Sequence, residues 1–299
     1  MAPSTTEIFS AHRSILMAVA YRILGSVADA EDVTQEAWLR WADVDHDEVE
    51  DPKAYLIRIV SRLAIDKLRW AKTRRESYVG PWLPEPISIE PDAAEHAELK
   101  DSVELALLVV LEKLSPLERA VFVLREAFEL PFAEIAEVIG RSEAATRQLG
   151  KRAREHVQEG RARFDVDRER RREITQSFLT ASVQGDLSGL LSLLSADITL
   201  VSDGGGKARS PLRVLVGAAS VGRFLTSTTT PEGIDKFMAS IGVEDYRDLS
   251  YGVAEVNGAP AIVGRAGGRV ITVISLVVVD GRVETVYLIA NPEKLAALS

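Results

Sequence analysis

The chain has no cysteine among its 299 residues, which excludes disulfides, a thiol redox switch and cysteine-ligated zinc. All four histidines (His12, His46, His96, His156) precede residue 165. The last third therefore has no imidazole for acid–base or metal chemistry, and no metal-ligand cluster occurs elsewhere. Long apolar runs are missing as well. The longest candidate, residues 271–279, contains Thr272 and Ser275 and reads as a buried strand, well short of the roughly 18 to 20 residues that span a bilayer. The opening residues show no basic segment followed by an apolar core, so no export signal and a cytoplasmic location are expected. A hydrophobic content of 46% and a charged content of 27% are those of a soluble globular protein. The length suits two or three domains.

The net charge is −9, which argues against strong polyanion binding by the whole chain. Its distribution argues otherwise. Residues 58–75 hold seven basic side chains against Asp66 alone, and residues 141–163 hold seven against three acids. Acid is concentrated in residues 43–51 and 85–104.

Residues 8–41 read as helical with a break at Gly25-Ser26. An acidic loop comes next, and Pro52 opens a long amphipathic helix to about Arg75. Leu56, Ile59, Val60 and Leu63 share one face of it; Arg58, Arg62 and Arg69 cluster within about 40° on the other, which leaves that basic face free for a polyanion. Pro81, Pro84, Pro86 and Pro91 mark a linker. Residues 94–114 read as helix, and Ser115-Pro116 caps and opens the next. Past residue 167, two helices (173–183 and 187–194) precede strands. Asn257-Gly258 and Asp280-Gly281 signal hairpins, and Gly267-Gly268 suggests a third turn. This last part is expected to be an α+β domain with a curved antiparallel sheet.

Residues 132–157 carry a helix-turn-helix pattern. Residues 132–139 form the supporting helix, Gly140 the turn and Ser142 the cap of the second helix. Thr146, Leu149, Ala153 and Val157 recur on a buried face. Arg147, Lys151 and Arg154 recur on another, where they can meet phosphates or base edges in a major groove. Gly150 interrupts this helix at a cost of roughly 1 kcal/mol against Ala, permitting either close packing or close approach to DNA. Two separated basic helices suggest a protein that spans two promoter elements.

Together these segments resemble one family. Asp29-Ala30-Glu31-Asp32-Val33-Thr34-Gln35-Glu36-Ala37-Trp38-Leu39 resembles the core-polymerase-binding segment of bacterial sigma factors. Pro52-Lys53-Ala54-Tyr55-Leu56 and Arg62-Leu63-Ala64-Ile65-Asp66-Lys67-Leu68-Arg69 resemble the promoter-melting helix next to it. Leu114-Ser115-Pro116-Leu117-Glu118-Arg119 through Arg152-Ala153-Arg154 resembles the C-terminal sigma domain. Their order and spacing are those of the extracytoplasmic-function sigma factors, and one departure is Ser61, where many members carry Asn.

The resemblance implies core polymerase binding by Asp29, Glu31, Asp32, Gln35, Glu36 and Leu39. It implies contacts to the −10 element by Arg58, Arg62, Arg69, Lys72 and Arg74, with Trp70 as a stacking or packing group. Contacts to the −35 element fall to Ser142, Arg147, Lys151 and Arg154. Promoter opening extracts bases from the stack, offset by stacking, pocket hydrogen bonds and backbone charge contacts. Residues 43–51 correspond to the family's base-capturing loop.

Three further motifs resemble the subgroup with a fused SnoaL-like domain: Trp82-Leu83-Pro84-Glu85-Pro86, Asp203-Gly204-Gly205-Gly206-Lys207 and Asn291-Pro292-Glu293-Lys294-Leu295. That fold is a cone, helices packed on a curved sheet around a pocket. The resemblance to this subgroup implies that the domain replaces a separate anti-sigma factor. The implied regulatory contact uses Trp82, Leu83 and Pro84 with the glycine loop (Asp203, Gly204, Gly205, Gly206, Lys207) and with Asn291 and Pro292. Trp82 would be its apolar anchor, and the alternative is an ordinary flexible turn.

The expected organisation is therefore multi-domain. Two all-α sigma domains (residues 1–78 and 106–163), joined by a linker (79–105), precede an α+β SnoaL-like cone (168–299). Acid–base catalysis has only Asp197 or Asp203 with Tyr246, Tyr251 or Tyr287 to draw on, and no spacing joins them. No catalytic centre, cofactor or metal is expected. Core RNA polymerase and promoter DNA are the expected partners, a small apolar ligand of the cone stays open, and no membrane is involved. The competing reading is a ligand-sensing repressor or activator that uses the helix-turn-helix alone.

Overall fold

The computed structural model describes residues 4–45, 49–87, 104–160 and 167–298. The chain divides into two compact units. The first is helical. Helix α1 (Thr5–Leu24) starts in a reciprocal capping box between Ser4 and Glu7 and stops at Gly25, whose φ is 70°. Helix α2 (Val27–Ala42) begins at Ser26, which accepts from the Asp29 amide, and α3 (Pro52–Arg75) begins at Asp51, which accepts from Ala54. One acid of the 43–51 loop is thereby a helix cap. Residues 46–48 of that loop, and 88–103 of the expected linker and helix, lie outside the described residues.

The three helices bury Leu16, Val19, Leu24, Ala37, Trp41, Leu56, Val60 and Leu68 almost completely. On α3 the expected apolar face is buried at Leu56, Val60 and Leu63, whereas Ile59 is only partly buried and Ile57 is buried beside Leu56. Helices α4 (Leu105–Glu112), α5 (Pro116–Glu126), α6 (Phe132–Ile139) and α7 (Glu143–Gly160) come next. Gly140 ends α6 with φ 64°, and the Ser142 hydroxyl accepts from Ala145 at the start of α7. A Cβ at Gly150 would lie 2.9 Å from the Phe132 ring and 3.4 Å from Val121. The glycine of α7 thus permits close packing on α5 and α6, the first of its two expected roles.

Arg119 joins the two halves of the helical unit. It is fully buried and donates through Nε to the Arg22 carbonyl at 3.2 Å. Its guanidinium also pairs with Glu112, which Arg75 of α3 engages from the other side.

The second unit holds residues 77–87, 104–106 and 167–298 among those described. Helices α8 (Arg168–Val183), α9 (Leu187–Leu193), α10 (Ala218–Thr228) and α11 (Pro231–Ser240) accompany a six-stranded sheet. The strands are β1 (Leu194–Asp203), β2 (Leu215–Val216), β3 (Ser250–Val256), β4 (Ala259–Ala266), β5 (Arg269–Val279) and β6 (Arg282–Ile289), in the order β2-β1-β6-β5-β4-β3. The three expected turns join β3 to β4, β4 to β5 and β5 to β6. The sheet is mixed, which corrects the antiparallel expectation: β1 runs parallel to β6. The short β2, the helices α10 and α11 and their loops carry the chain from β1 to β3 at the far edge, and the meander then works back until β6 lies beside β1 in the same direction. Phe178, Leu190, Ile198, Leu200, Val221, Leu225, Ile262 and Val286 form the core between helices and sheet. A short helix, α12 (Pro292–Leu295), closes the unit.

Candidate nucleic-acid interface and linker site

The basic residues of α3 are not all turned to solvent, which corrects the expectation of a free basic face. Arg62 donates to the Val138 carbonyl at 3.2 Å and to the Glu137 carbonyl at 2.7 Å. These are C-terminal carbonyls of α6, at the negative end of its dipole. Arg58 pairs with the Glu137 carboxylate at 3.1 Å. Lys72 donates to the Glu112 and Leu114 carbonyls, and burial pulls its ammonium below the usual lysine range. Arg69 and Arg74 stay exposed, the first paired with Asp66 at 2.7 Å, the second 4.5 Å above the exposed Trp70 ring. Ser61 is fully buried with no hydrogen-bond partner for its hydroxyl among the described residues. It faces the interior of the helical bundle.

On α7, Thr146, Ala153 and Val157 are buried and Leu149 partly so, while Arg147, Lys151 and Arg154 are exposed. Each cation has a nearby carboxylate: Glu143 for Arg147, Glu155 at 3.8 Å for Lys151, Glu126 at 2.8 Å for Arg154. Exposed pairs of this kind are worth at most about 1 kcal/mol, so phosphates can displace them. On α2, Glu31, Asp32, Gln35, Glu36 and Leu39 are exposed, Leu39 at 64%. Asp29 and Asp32 are drawn sideways to Lys67 of α3, at 3.1 and 2.7 Å.

The second unit assembles a buried polar site around the start of the linker. Asp203, the last residue of β1, is fully buried. Its Oδ1 accepts from the Tyr78 hydroxyl at 2.6 Å and from the Gly205 amide at 3.1 Å. Its Oδ2 accepts from the Leu83 amide at 2.8 Å and from Lys294 Nζ at 2.7 Å. Lys294 is 6% exposed. It also donates to the Leu83 carbonyl and lies 4.0 Å over the Trp82 ring. Asn291 donates to the Tyr78 hydroxyl at 2.9 Å and caps α12 by accepting from the Glu293 amide. Burial, and then the bond to Asp203, hold the Tyr78 phenol well above the usual range.

The glycine loop is shaped by this contact. A Cβ at Gly205 would stand 2.4 Å from Asn291 Nδ2 and 3.0 Å from the Tyr78 hydroxyl; one at Gly206 would stand 3.1 Å from Val79. Both have positive φ, so a side chain is strained at either, and at Gly205 space forbids it as well. Trp82 is half-buried, whereas Leu83 is 1% exposed, so the deepest apolar contact is made by Leu83. Pro84 is buried too. Lys207 reaches Glu293 at the surface rather than the linker. Farther on, Ile87 and Asn257 bond reciprocally: the Ile87 amide donates to Asn257 Oδ1 at 3.1 Å, and the Asn257 amide to the Ile87 carbonyl at 2.9 Å.

Residues 8–74 match the family model for sigma-70 region 2, and residues 104–157 match that for sigma-70 region 4. Across 96% of its length the chain is 43% identical to the ECF RNA polymerase sigma factor SigJ of Mycobacterium tuberculosis, covering 91% of that protein. The chain belongs to the ECF RNA polymerase sigma factors. It is also 33% identical to the probable ECF RNA polymerase sigma factor SigI of the same species, over 96% of this chain and 93% of the other. The crystal structure of M. tuberculosis SigJ superposes with a TM-score of 0.75 at 38% identity, covering 97% of both chains.

This sigma factor therefore has core polymerase and promoter DNA as its partners, and the repressor reading is not favoured. No described helix is long and apolar enough to cross a membrane.

Sequence reasoning missed Tyr78, Lys294 and Asn257. Lys294 stood inside a motif already singled out, and its place on the first turn after Asn291-Pro292 was the available signal. Asn257 was absorbed by its hairpin role. Tyr78 carried no signal beyond being an aromatic just before the linker motif. The tyrosine–carboxylate candidates are dispersed among the described residues. Asp203 serves Tyr78 and Lys294, Tyr246 bonds the exposed Asp235, and Tyr287 packs with Ala106, Val277 and Val279. Asp197 is exposed.

Proposed function

We propose that this sigma factor reads its promoters with two helices and is controlled by the cone's hold on the linker, in place of a separate anti-sigma factor. Arg147, Lys151 and Arg154 of α7, with Ser142 at its start, contact the −35 element. On α3, the exposed Arg69 and Arg74 contact the −10 element, and Arg58, Arg62 and Lys72 join them on leaving Glu137, Val138 and the Glu112 and Leu114 carbonyls. Asp29, Glu31, Asp32, Gln35, Glu36 and Leu39 of α2 meet core polymerase. The cone takes no catalytic part; it fixes the linker that leaves α3, and it accepts a small-molecule ligand.

The observation that carries this reading is the buried Asp203–Lys294 pair closed around the Leu83 peptide. A buried ion pair contributes little to stability alone. One whose remaining hydrogen-bonding capacity is taken up by a linker backbone suits a device that holds that linker. The test is run-off transcription by core polymerase with the full chain, with its Asp203→Asn and Lys294→Met variants, and with residues 1–165. Promoter-specific transcripts are expected, with output from the variants differing from that of the unmodified chain. Equal output from all four would remove the cone from control, and transcripts from none would remove the sigma reading.

A further inference from the structure

The helices and concave sheet face of the cone enclose a cavity of about 600 Å³, a size typical of small-molecule sites. Six aromatic residues come after residue 167 (Phe178, Phe224, Phe237, Tyr246, Tyr251 and Tyr287), and four of them line this cavity: Phe178, Phe224, Phe237 and Tyr251. Ile262, Ile274 and Leu288 supply the sheet side. The space beside Tyr251 is kept by Gly264, where a Cβ would stand 2.8 Å from the tyrosine ring and 2.7 Å from Thr272. Such a wall favours a flat ring over a flexible chain.

Ser182 and Tyr251, both on the wall, have hydroxyls without partners among the described residues. Ser182 Oγ is buried without a hydrogen bond, although neighbouring helix hydroxyls such as Thr175, Ser177 and Thr180 bond back to carbonyls four residues earlier. The Tyr251 hydroxyl likewise has none, and burial keeps its phenol in the neutral, donating form. A buried donor left unmatched is costly, and a ligand oxygen would match it.

The rim is charged. Arg209, Glu232 and Lys236 line the cavity and are exposed. Lys236 pairs with Glu232 one helical turn away, whereas Arg209 makes no ion pair among the described residues. Arg209 acts on Glu232 only at longer range, so the rim sets two cations against one carboxylate.

We propose that the cone cavity binds a small aromatic monocarboxylate, its ring among Phe178, Phe224, Phe237 and Tyr251 and its carboxylate at Arg209. This rests on the reading of the cone as a ligand-accepting control domain. The rim lies next to the linker site along the chain: a Cβ at Gly204 would stand 2.5 Å from both the Ala208 carbonyl and Ser210 Oγ, and Arg209 sits between those two residues.

The test titrates the full-length protein with 2-naphthoate by calorimetry. Naphthalene-2-methanol is the uncharged comparison and decanoate the ring-free one. Saturable one-to-one binding of 2-naphthoate is expected, tighter than that of either comparison. Arg209→Ala should weaken 2-naphthoate by about tenfold, the worth of one charge-assisted hydrogen bond, and leave naphthalene-2-methanol within about twofold. Ile274→Trp, which fills the cavity, should abolish both. Should that variant unfold, the exposed Arg209→Ala still decides. No saturable binding at millimolar concentration overturns the proposal, as does binding indifferent to Arg209→Ala, or tighter binding of decanoate. Polymerase takes no part in this titration, so its failure leaves the transcription result standing, and the converse holds equally.

Discussion

Replacing Asp203 by Asn keeps the volume and removes the charge, and the geometry around it sets the consequence. The carboxylate accepts four hydrogen bonds, two at each oxygen, from Tyr78, Gly205, Leu83 and Lys294. An amide can accept on one side only. With its oxygen towards Tyr78, its NH2 group faces both the Leu83 N–H and the Lys294 ammonium, three donors with no acceptor between them. Flipped, it faces Gly205 instead. Either way Lys294 stays buried without its counter-charge, and breaking one side of a buried pair costs about 3–5 kcal/mol.

Releasing the linker relieves that cost, because Lys294 and the Leu83 peptide can then reach water. The loss should therefore be local. At about 3 kcal/mol, opening of the linker becomes more frequent by about two orders of magnitude. Hydrogen exchange read by mass spectrometry on peptides covering residues 78–87 measures it, with β4 and β5 as internal references. The linker amides should exchange about 100-fold faster while the strands keep their protection. Lys207→Ala, which removes only the exposed contact to Glu293, should leave the linker unchanged. Equal protection of residues 78–87 in Asp203→Asn and the unmodified protein would refute the reasoning. So would an equal loss in Lys207→Ala.

Asn257→Gly preserves the turn conformation, since Asn257 has φ 52°, but deletes the acceptor for the Ile87 amide; exchange near residue 87 should rise by about tenfold, for a hydrogen bond worth about 1–1.5 kcal/mol, with no loss of the β3–β4 hairpin. Gly150→Ala gains helix propensity yet forces a Cβ to 2.9 Å from Phe132, so a net loss of about 1–2 kcal/mol is expected in denaturant unfolding of the helical unit, and a gain would show that the ring moves freely. Arg147→Ala should lower the salt slope of −35 binding by about 0.9 if the side chain meets one phosphate, measured by fluorescence anisotropy over a salt series; an unchanged slope places it off the DNA. Tyr78 keeps its proton above the usual phenol range in the folded state, so its contribution is intact below the unfolded pKa of about 10 and falls as pH rises beyond it. Absorbance titration of Tyr78→Phe should therefore match the unmodified protein up to about pH 11, and a missing phenolate in the variant would contradict this.

The helices were legible because their signals are local. Pro52, Ser115-Pro116 and Gly140 mark ends that the backbone alone enforces, and the spacing of Leu56, Val60 and Leu63 selects the buried face. The hairpins were legible for the same reason. Contacts between distant segments were not. The parallel pairing of β1 with β6 depends on where the chain returns after α10 and α11. Nor does anything around Arg62 announce that its guanidinium will find the carbonyls of residues 137 and 138; periodicity separates a polar face from an apolar one but cannot say whether the polar face meets solvent or the end of another helix. The glycine loop lay between these cases. Three glycines in a row announce close approach, whereas the groups that approach, Tyr78 and Val79, lie more than a hundred residues earlier.

On the proposed reading, the small size of the linker site is a consequence of fusion. A separate inhibitor must overcome the loss of translational and rotational freedom, estimated at about 4–15 kcal/mol or more, and does so by covering a large surface. A cone on the same chain binds its linker intramolecularly and so avoids most of that loss. One buried ion pair, a tyrosine, the Leu83 side chain and the Asn257–Ile87 exchange then suffice to bias the linker. The same smallness keeps the device reversible. A hold built from a few bonds can be undone by an event worth only a few kcal/mol, and a hold as strong as a typical inhibitor interface could not. This is why the control element can be confined to residues 78–87, two short motifs (203–207 and 291–295) and Asn257, and why single substitutions at Asp203 or Lys294 should be enough to move it.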